Sequence, residues 1–333
     1  MNDRKKDHID LAFQARTGRE EIDSRFNYEP LLARHPISPL KPFPFLGKTI
    51  KAPMWVSSMT GGTSMAGQIN RNLARACKEF GIGMGLGSCR SILFSDEHFA
   101  DFDMRNIIGE DLPFYANLGI AQLEELVLKD DIEPVNQLIR KLRADGLIIH
   151  VNPMQEWLQP EGDRISQPPI DTIKTYLEMT GYPVIVKEVG QGMGPESLRE
   201  LLKLPLEAIE FAAFGGTNFA QLELLRSNEA RQNYYGPLSH IGHDAYEMTK
   251  MVNEIVAGEH VECRQVIISG GITSFLDGYY LINLCSLPAI FGQASGFLKH
   301  ARGQYEELHD YVHNQVEGLK LAQAYFRIKD SEI

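Results

Sequence analysis

Eight short apolar runs, each closed by glycine or polar side chains, predict an α/β protein. The architecture they predict is a (β/α)8 TIM barrel with an N-terminal extension and an insertion after strand 6. Three observations carry this. The runs alternate with helix-forming segments, which implies a parallel sheet. Their apolar character is nearly continuous, as in strands buried on both faces. Polar chemistry collects where the runs end, as it does at the C-terminal face of a barrel. The alternative is an open doubly wound sheet. No Gly-x-Gly-x-x-Gly opens a helix after the first run, which counts against its dinucleotide-binding version.

The elements follow in order. Residues 1–50 are polar, proline-rich and irregular, and read as an extension packed across a core built later. Met54-Trp55-Val56-Ser57-Ser58 is the first strand. It ends in Met59-Thr60-Gly61-Gly62-Thr63, and a helix follows over about 66–80. Gly81 and Gly83 flank a second strand that ends in Gly87-Ser88-Cys89-Arg90. Phe114-Tyr115-Ala116 leads into Asn117-Leu118-Gly119, before helical segments near 120–128 and 133–144. Gly146-Leu147-Ile148-Ile149 is the fourth strand and Pro183-Val184-Ile185-Val186 the fifth, ending in Lys187-Glu188. Ala208-Ile209-Glu210-Phe211-Ala212 runs toward Gly215-Gly216-Thr217. Val266-Ile267-Ile268 ends in Ser269-Gly270-Gly271, and Ala289-Ile290-Phe291 in Gly292-Gln293-Ala294-Ser295. Residues 218–262 are too long for an ordinary connection. They read as a mobile lid over the site plus a helix near 244–257. A long helix over about 297–326 closes the chain, and residues 1–333 read as one domain.

Composition narrows the function. Hydrophobic residues make up 43% and charged residues 23%, as in soluble globular proteins. A net charge of -11 argues against non-specific nucleic-acid binding, while leaving room for a local basic pocket. Four cysteines without CxxC pairing fit a reducing cytoplasm. No apolar h-region opens the sequence and no apolar run reaches the ~18 residues of a membrane span.

The densest chemistry follows the fourth strand. His150, Asn152, Gln155 and Glu156 come in quick succession, and Pro153 and Pro160 are expected to prevent a simple helix through them. A polar loop rich in Gln and Glu is the bland reading; recurrence of polar strand ends along the chain favours a site. Gly270-Gly271 and Gly292-Gln293-Ala294 suit a phosphate, which needs backbone N–H donors at close approach. Lys187 ends a buried strand, where the bland alternative is an internal pair with Glu188. Cys89 and Cys263 lack a nucleophile signature and read as packing residues.

These motifs, in this order, resemble the type 2 isopentenyl-diphosphate isomerases. The resemblance rests on Arg4-Lys5-x-x-His8, Met59-Thr60-Gly61-Gly62, Gly87-Ser88-x-Arg90, Asn117-x-Gly119, residues 150–163, Lys187-Glu188-Val189-Gly190, Gly215-Gly216-Thr217 and Ser269-Gly270-Gly271. It implies interconversion of isopentenyl and dimethylallyl diphosphate by a barrel enzyme that uses reduced FMN, NADPH as reductant and Mg2+. It also implies a homo-oligomer, tetramer or octamer. By resemblance, Ser58, Met59, Thr60, Ser88, Asn117, Lys187, Thr217, Gly270, Gly271, Gln293 and Ala294 hold FMN. Arg4, Lys5, His8, Ser88, Arg90, His150, Asn152 and Gln155 bind the diphosphate substrate, Gln155 faces the reacting carbons, and Glu156 anchors the metal. An amide does not titrate near neutrality, so the proton chemistry would fall to the reduced flavin.

The chain departs from the family at four places. Cys89 replaces a Gln, Phe219 a Trp and Thr273 an Arg, and Pro288-Ala289-Ile290-Phe291 replaces a Leu-Gly-Ala run. The competing classes are an FMN oxidoreductase of the 2-hydroxy-acid oxidase kind and a non-enzymatic flavin- or phosphate-binding regulator. The first needs a late His-x-x-Arg constellation, which the segment after Asn218 does not offer. The second has no use for Gln155-Glu156.

Overall fold

The computed structural model describes residues 2–58 and 64–329. Its centre is a closed barrel of eight parallel strands: β1 Met54–Val56, β2 Gly83–Gly85, β3 Phe114–Gly119, β4 Gly146–His150, β5 Val184–Lys187, β6 Ala208–Glu210, β7 Val266–Ser269 and β8 Ala289–Gln293. Neighbours in sequence are neighbours in the barrel, and β8 pairs with β1 to close it. The (β/α)8 expectation holds strand by strand. Trp55 and Tyr115 fill the barrel, with ring centroids 6.2 Å apart, and both are buried.

The N-terminal segment is more ordered than its composition suggests. Asn2–Leu11 is a helix, Phe26–Tyr28 pairs antiparallel with Phe326–Ile328, and Phe43–Phe45 forms a hairpin with Lys48–Ile50. The hairpin turns through Leu46 and Gly47, both at positive φ, the backbone of a tight two-residue turn. It closes the N-terminal end of the barrel. The Leu46 N–H donates to Gln265 just before β7, and Lys48 pairs at 2.8 Å with Asp145 just before β4.

Three expectations change in detail. Pro153 opens the helix Pro153–Leu158 instead of preventing one; its missing N–H costs nothing at a helix start. The closing helix is two, Ser295–Ala301 and Tyr305–Tyr325, separated at Gly303. The insertion is built of Phe219–Arg226, Glu229–Tyr235, the 3-10 turn Gly236–His240 and Ala245–Gly258. Asn218, Asn228 and Asp244 accept backbone N–H groups at the starts of its three α-helices, which is why each begins where it does.

Candidate active site

Register places the polar side chains. Gly119 pairs with His150, His150 with Lys187 and Lys187 with Glu210 across four adjacent strands. Paired residues share a face of the sheet, so these positions form one layer at the C-terminal mouth.

On the β5–β8 side the mouth opens into a cavity of about 350 Å³. Its walls include Ser58, Lys187, Thr217, Gly270, Gly271, Gln293 and Ala294, which were expected around one ligand. Met59 and Thr60 lie outside the described residues. Ser88 and Asn117 do not line the cavity. Asn117 stitches strands together instead: its Nδ2 donates to the Leu86 carbonyl at 3.0 Å and its Oδ1 faces His150 Nδ1 at 2.7 Å. Since that oxygen can only accept, Nδ1 carries the proton and Nε2 is left as an acceptor.

Two glycine pairs face each other at one end of the cavity. A Cβ on Gly215 would fall 3.1 Å from Gly271 Cα, and one on Gly216 3.4 Å from Gly270 Cα. Gly215, Gly270 and Gly271 also have positive φ, so a larger residue would meet both a neighbour and strain. Lys187 Nζ donates at 2.7 Å to the backbone carbonyl of Glu188, not to its carboxylate. The Glu188 carboxylate turns away and accepts the N–H groups of Gly190, Gln191 and Gly192, while burial pushes its carboxyl up. Enclosure and the neighbouring Lys187 charge push the His150 imidazole down to about 3, so it is neutral at pH 7.

The β4 side is a network of paired groups. Asn152 Nδ2 donates to Gln155 Oε1 at 3.1 Å and to Glu156 Oε1 at 3.0 Å. Successive helical residues diverge by about 100°, yet this one amide ties both side chains together. Glu156 Oε2 accepts the Asp163 N–H at 2.8 Å. Asp163 in turn accepts from Gln122 Nε2 and Arg90 Nη1, each at 2.7 Å. Asn152 Oδ1 is buried and has no hydrogen-bond partner among the described residues. Arg4, Lys5 and His8 lie exposed on the N-terminal helix, with no hydrogen bond or ion pair to this network among the described residues.

Two acidic residues escaped sequence reasoning. Glu223 is buried on the insertion helix, which packs through Ala220 and Leu224 against Met154 and Leu158. Gln155 Nε2 reaches Glu223 Oε1 at 3.5 Å, and Arg226 pairs with its other oxygen at 2.6 Å. Glu210 lines the cavity and is fully buried. Its signal was visible: an acidic residue inside the apolar run 208–212. Cys89 and Cys263 are buried, and burial pushes each thiol up to about 12, which fits packing.

A (β/α)8 barrel with polar side chains gathered at the C-terminal strand ends has the architecture of a barrel enzyme. Solved barrels of flavin enzymes share the fold. A mandelate oxidase with an FMN monooxide adduct superposes with a TM-score of 0.55 over 91% of this chain and 88% of that one, at 13% identity. A flavocytochrome b2 with sulfite bound gives 0.61 over 95% and 78%, at 11% identity. No family model matches the chain. Curated relatives do. An isopentenyl-diphosphate delta-isomerase of Rickettsia felis is 35% identical over 326 residues, covering 96% of this chain and 91% of the relative. That of Rickettsia prowazekii is 34% identical over 306 residues, covering 90% and 86%. The chain belongs to the isopentenyl-diphosphate delta-isomerases, and its motifs are those of the type 2 enzymes.

Proposed function

We propose that the chain interconverts isopentenyl and dimethylallyl diphosphate with FMN in the β5–β8 cavity and Mg2+ at Glu156, NADPH keeping the flavin reduced. The observation that carries the metal half is the bare Asn152 Oδ1 beside the buried Glu156 carboxylate. Two oxygens of this kind suit a hard cation. Among the described residues no group of three His, Cys, Asp or Glu could hold a metal. The ion would therefore take its remaining ligands from the substrate phosphates and water, as Mg2+ commonly does.

The flavin half rests on the cavity. Its volume lies in the ordinary range for small-ligand sites, about 300–1,000 Å³. The facing glycines leave backbone open for a phosphate, and Lys187 offers a cation for the ring's oxygen edge. Reduced FMN, when bound, would supply an electron-rich ring able to exchange a proton with the substrate. The chain's own groups do the rest. Asn152 orients the Gln155 amide by occupying its oxygen, which turns the NH2 toward Glu223. Glu223 is the carboxylate that meets the Gln155 amide, and Arg226 holds its other oxygen. Arg90 is a ready cation for a diphosphate, held in place by Asp163. Arg4, Lys5 and His8 would join it as a clamp once substrate arrives.

The oxidase alternative has the shared fold in its favour; the identity to curated isomerases favours isomerisation. A cytoplasmic homo-oligomer belongs to the same reading. Among the described residues no helix is long and apolar enough to cross a membrane. The metal assignment is tested with Glu156→Gln, assayed with flavin fully reduced across a Mg2+ titration. The expected result is a metal requirement raised at least ~10-fold, the scale for losing one coordinating or supporting group. A wild-type Mg2+ profile would remove Glu156 from the metal site.

A further inference from the structure

Glu210 is fully buried, lines the cavity, and has one oxygen in use and one bare. The arrangement is fixed by its neighbour. Ser269 Oγ accepts the Ala212 N–H at 2.9 Å, so its own proton is free to go to Glu210 Oε1 at 3.1 Å. Oε2 has no donor, and Ser57 Oγ, also buried in this wall, has no partner among the described residues. Gly292 brings the group together, since a Cβ there would fall 2.6 Å from Ser57 Oγ and 2.9 Å from Ser269 Cβ. A buried acceptor without a donor costs about 1–3 kcal/mol. A barrel interior that keeps one in the wall of a ligand-sized cavity offers that oxygen to a donor on a bound molecule.

Lys187 is paired with Glu210 in the β5–β6 register, and both line the cavity. They form no ion pair among the described residues; Lys187 Nζ is held by the Glu188 carbonyl instead. An amine and a carboxyl group on adjacent strands thus both face the cavity without pairing to each other. A cation there favours negative charge on a bound ring, and an anion opposes it.

We infer that Glu210 is a positioning residue, the counter-charge to Lys187 that sets how strongly the cavity prefers a reduced flavin over an oxidised one. The inference rests on the flavin reading above. Lys187 alone would favour the reduced, electron-rich ring more strongly; Glu210 moderates that preference. Such a balance suits a reaction with no net redox change, in which the ring must stay reduced yet keep its electrons available to a proton.

The test uses the flavin-loaded protein. The midpoint potential of bound FMN is measured by dye equilibration in wild type, Glu210→Gln and Glu210→Asp. Glu210→Gln removes the charge and keeps the shape, so reduced FMN should gain about tenfold in affinity relative to oxidised FMN. For a two-electron couple that is a rise of about 30 mV. Glu210→Asp draws the charge back and should give a smaller rise of the same sign; it carries the test if the glutamine variant does not fold. An unchanged or lowered potential overturns the inference, even if the variants melt earlier, because a purely structural role would move stability and not potential. A wild-type protein that takes up no flavin overturns the cofactor reading and this inference together. Bound flavin with an unmoved potential overturns this inference alone.

Discussion

The two halves of the barrel mouth treat their polar groups in opposite ways. On the β4 side charges are already matched: Arg90 with Asp163, Arg226 with Glu223, and Glu156 held at both oxygens. In the β5–β8 cavity Ser57, Ser58 and one oxygen of Glu210 have no partners among the described residues. Side chains that are already paired can trade partners at small cost when a charged substrate comes and goes. Bare groups on rigid strands have no such fallback, and suit a molecule that stays. The difference is what the proposed reading expects of a resident cofactor in the cavity and a transient anion at the β4 network. Asn152 Oδ1 is the exception on the β4 side, and it is the oxygen the proposed metal reading uses.

Lys187→Ala should have the largest effect, because it strikes the resident side. Loss of this buried cation is expected to weaken FMN binding or cut turnover at least ~100-fold, the scale for one oriented group in a water-excluded site. Flavin absorbance after gel filtration and steady-state rates check it; a variant that retains flavin and normal turnover would erase the distinction between the two sides. Gln155→Ala strikes the transient side and should leave flavin content intact. The expected loss is ~2–4 kcal/mol of transition-state stabilisation, seen in kcat with little change in KM. If KM rises instead, Gln155 is a binding wall.

Tyr311→Phe should be milder. Its hydroxyl donates to Gln293 Oε1 at 2.9 Å, and Gln293 Nε2 donates to the Ile272 carbonyl at 3.1 Å. The tyrosine thus braces both glycine-rich ends of the cavity from outside. Losing one such hydrogen bond, about 1 kcal/mol, should weaken FMN binding roughly fivefold in a fluorescence titration; unaltered affinity would show that the brace is unnecessary.

The last effect concerns stability rather than binding or turnover, and it emerges only in acid. Burial first, and the Lys187 charge second, push the His150 imidazole down to about 3 in the fold, against 6.5 in the unfolded chain. Between those values the unfolded state binds more protons, so stability falls as pH drops through that window. The contribution is at most about 1.4 kcal/mol per pH unit. His150→Asn should flatten the acid limb of a denaturation series, and an identical limb in the variant would place the sensitivity elsewhere.

The barrel was legible because each strand is a compact apolar run whose polar end needs no distant partner to be seen. The grouping of Lys187, Gly270 and Gln293 around one cavity followed from the same logic, since all three stand at strand ends. What escaped depends on tertiary contact. Phe26–Tyr28 is a strand because Phe326–Ile328 at the far end of the chain pairs with it. Glu223 sits on an insertion helix whose docking against Met154 and Leu158 no local pattern announces. Pro153 reads as a breaker only until one asks whether it stands first in a helix. Arg90 reads as a free clamp residue, because nothing local indicates that Asp163 will hold it.

The central claim is that this barrel isomerises isopentenyl diphosphate with a resident flavin. The most direct measurement is anaerobic incubation of the purified protein with isopentenyl diphosphate, FMN, NADPH and Mg2+, following dimethylallyl diphosphate. Product should form only when flavin is present and reduced and the metal is available, with no net consumption of NADPH per turnover. Isomerisation that proceeds equally well without flavin would contradict the account, as would flavin-dependent oxidation of a 2-hydroxy acid with no dimethylallyl diphosphate formed.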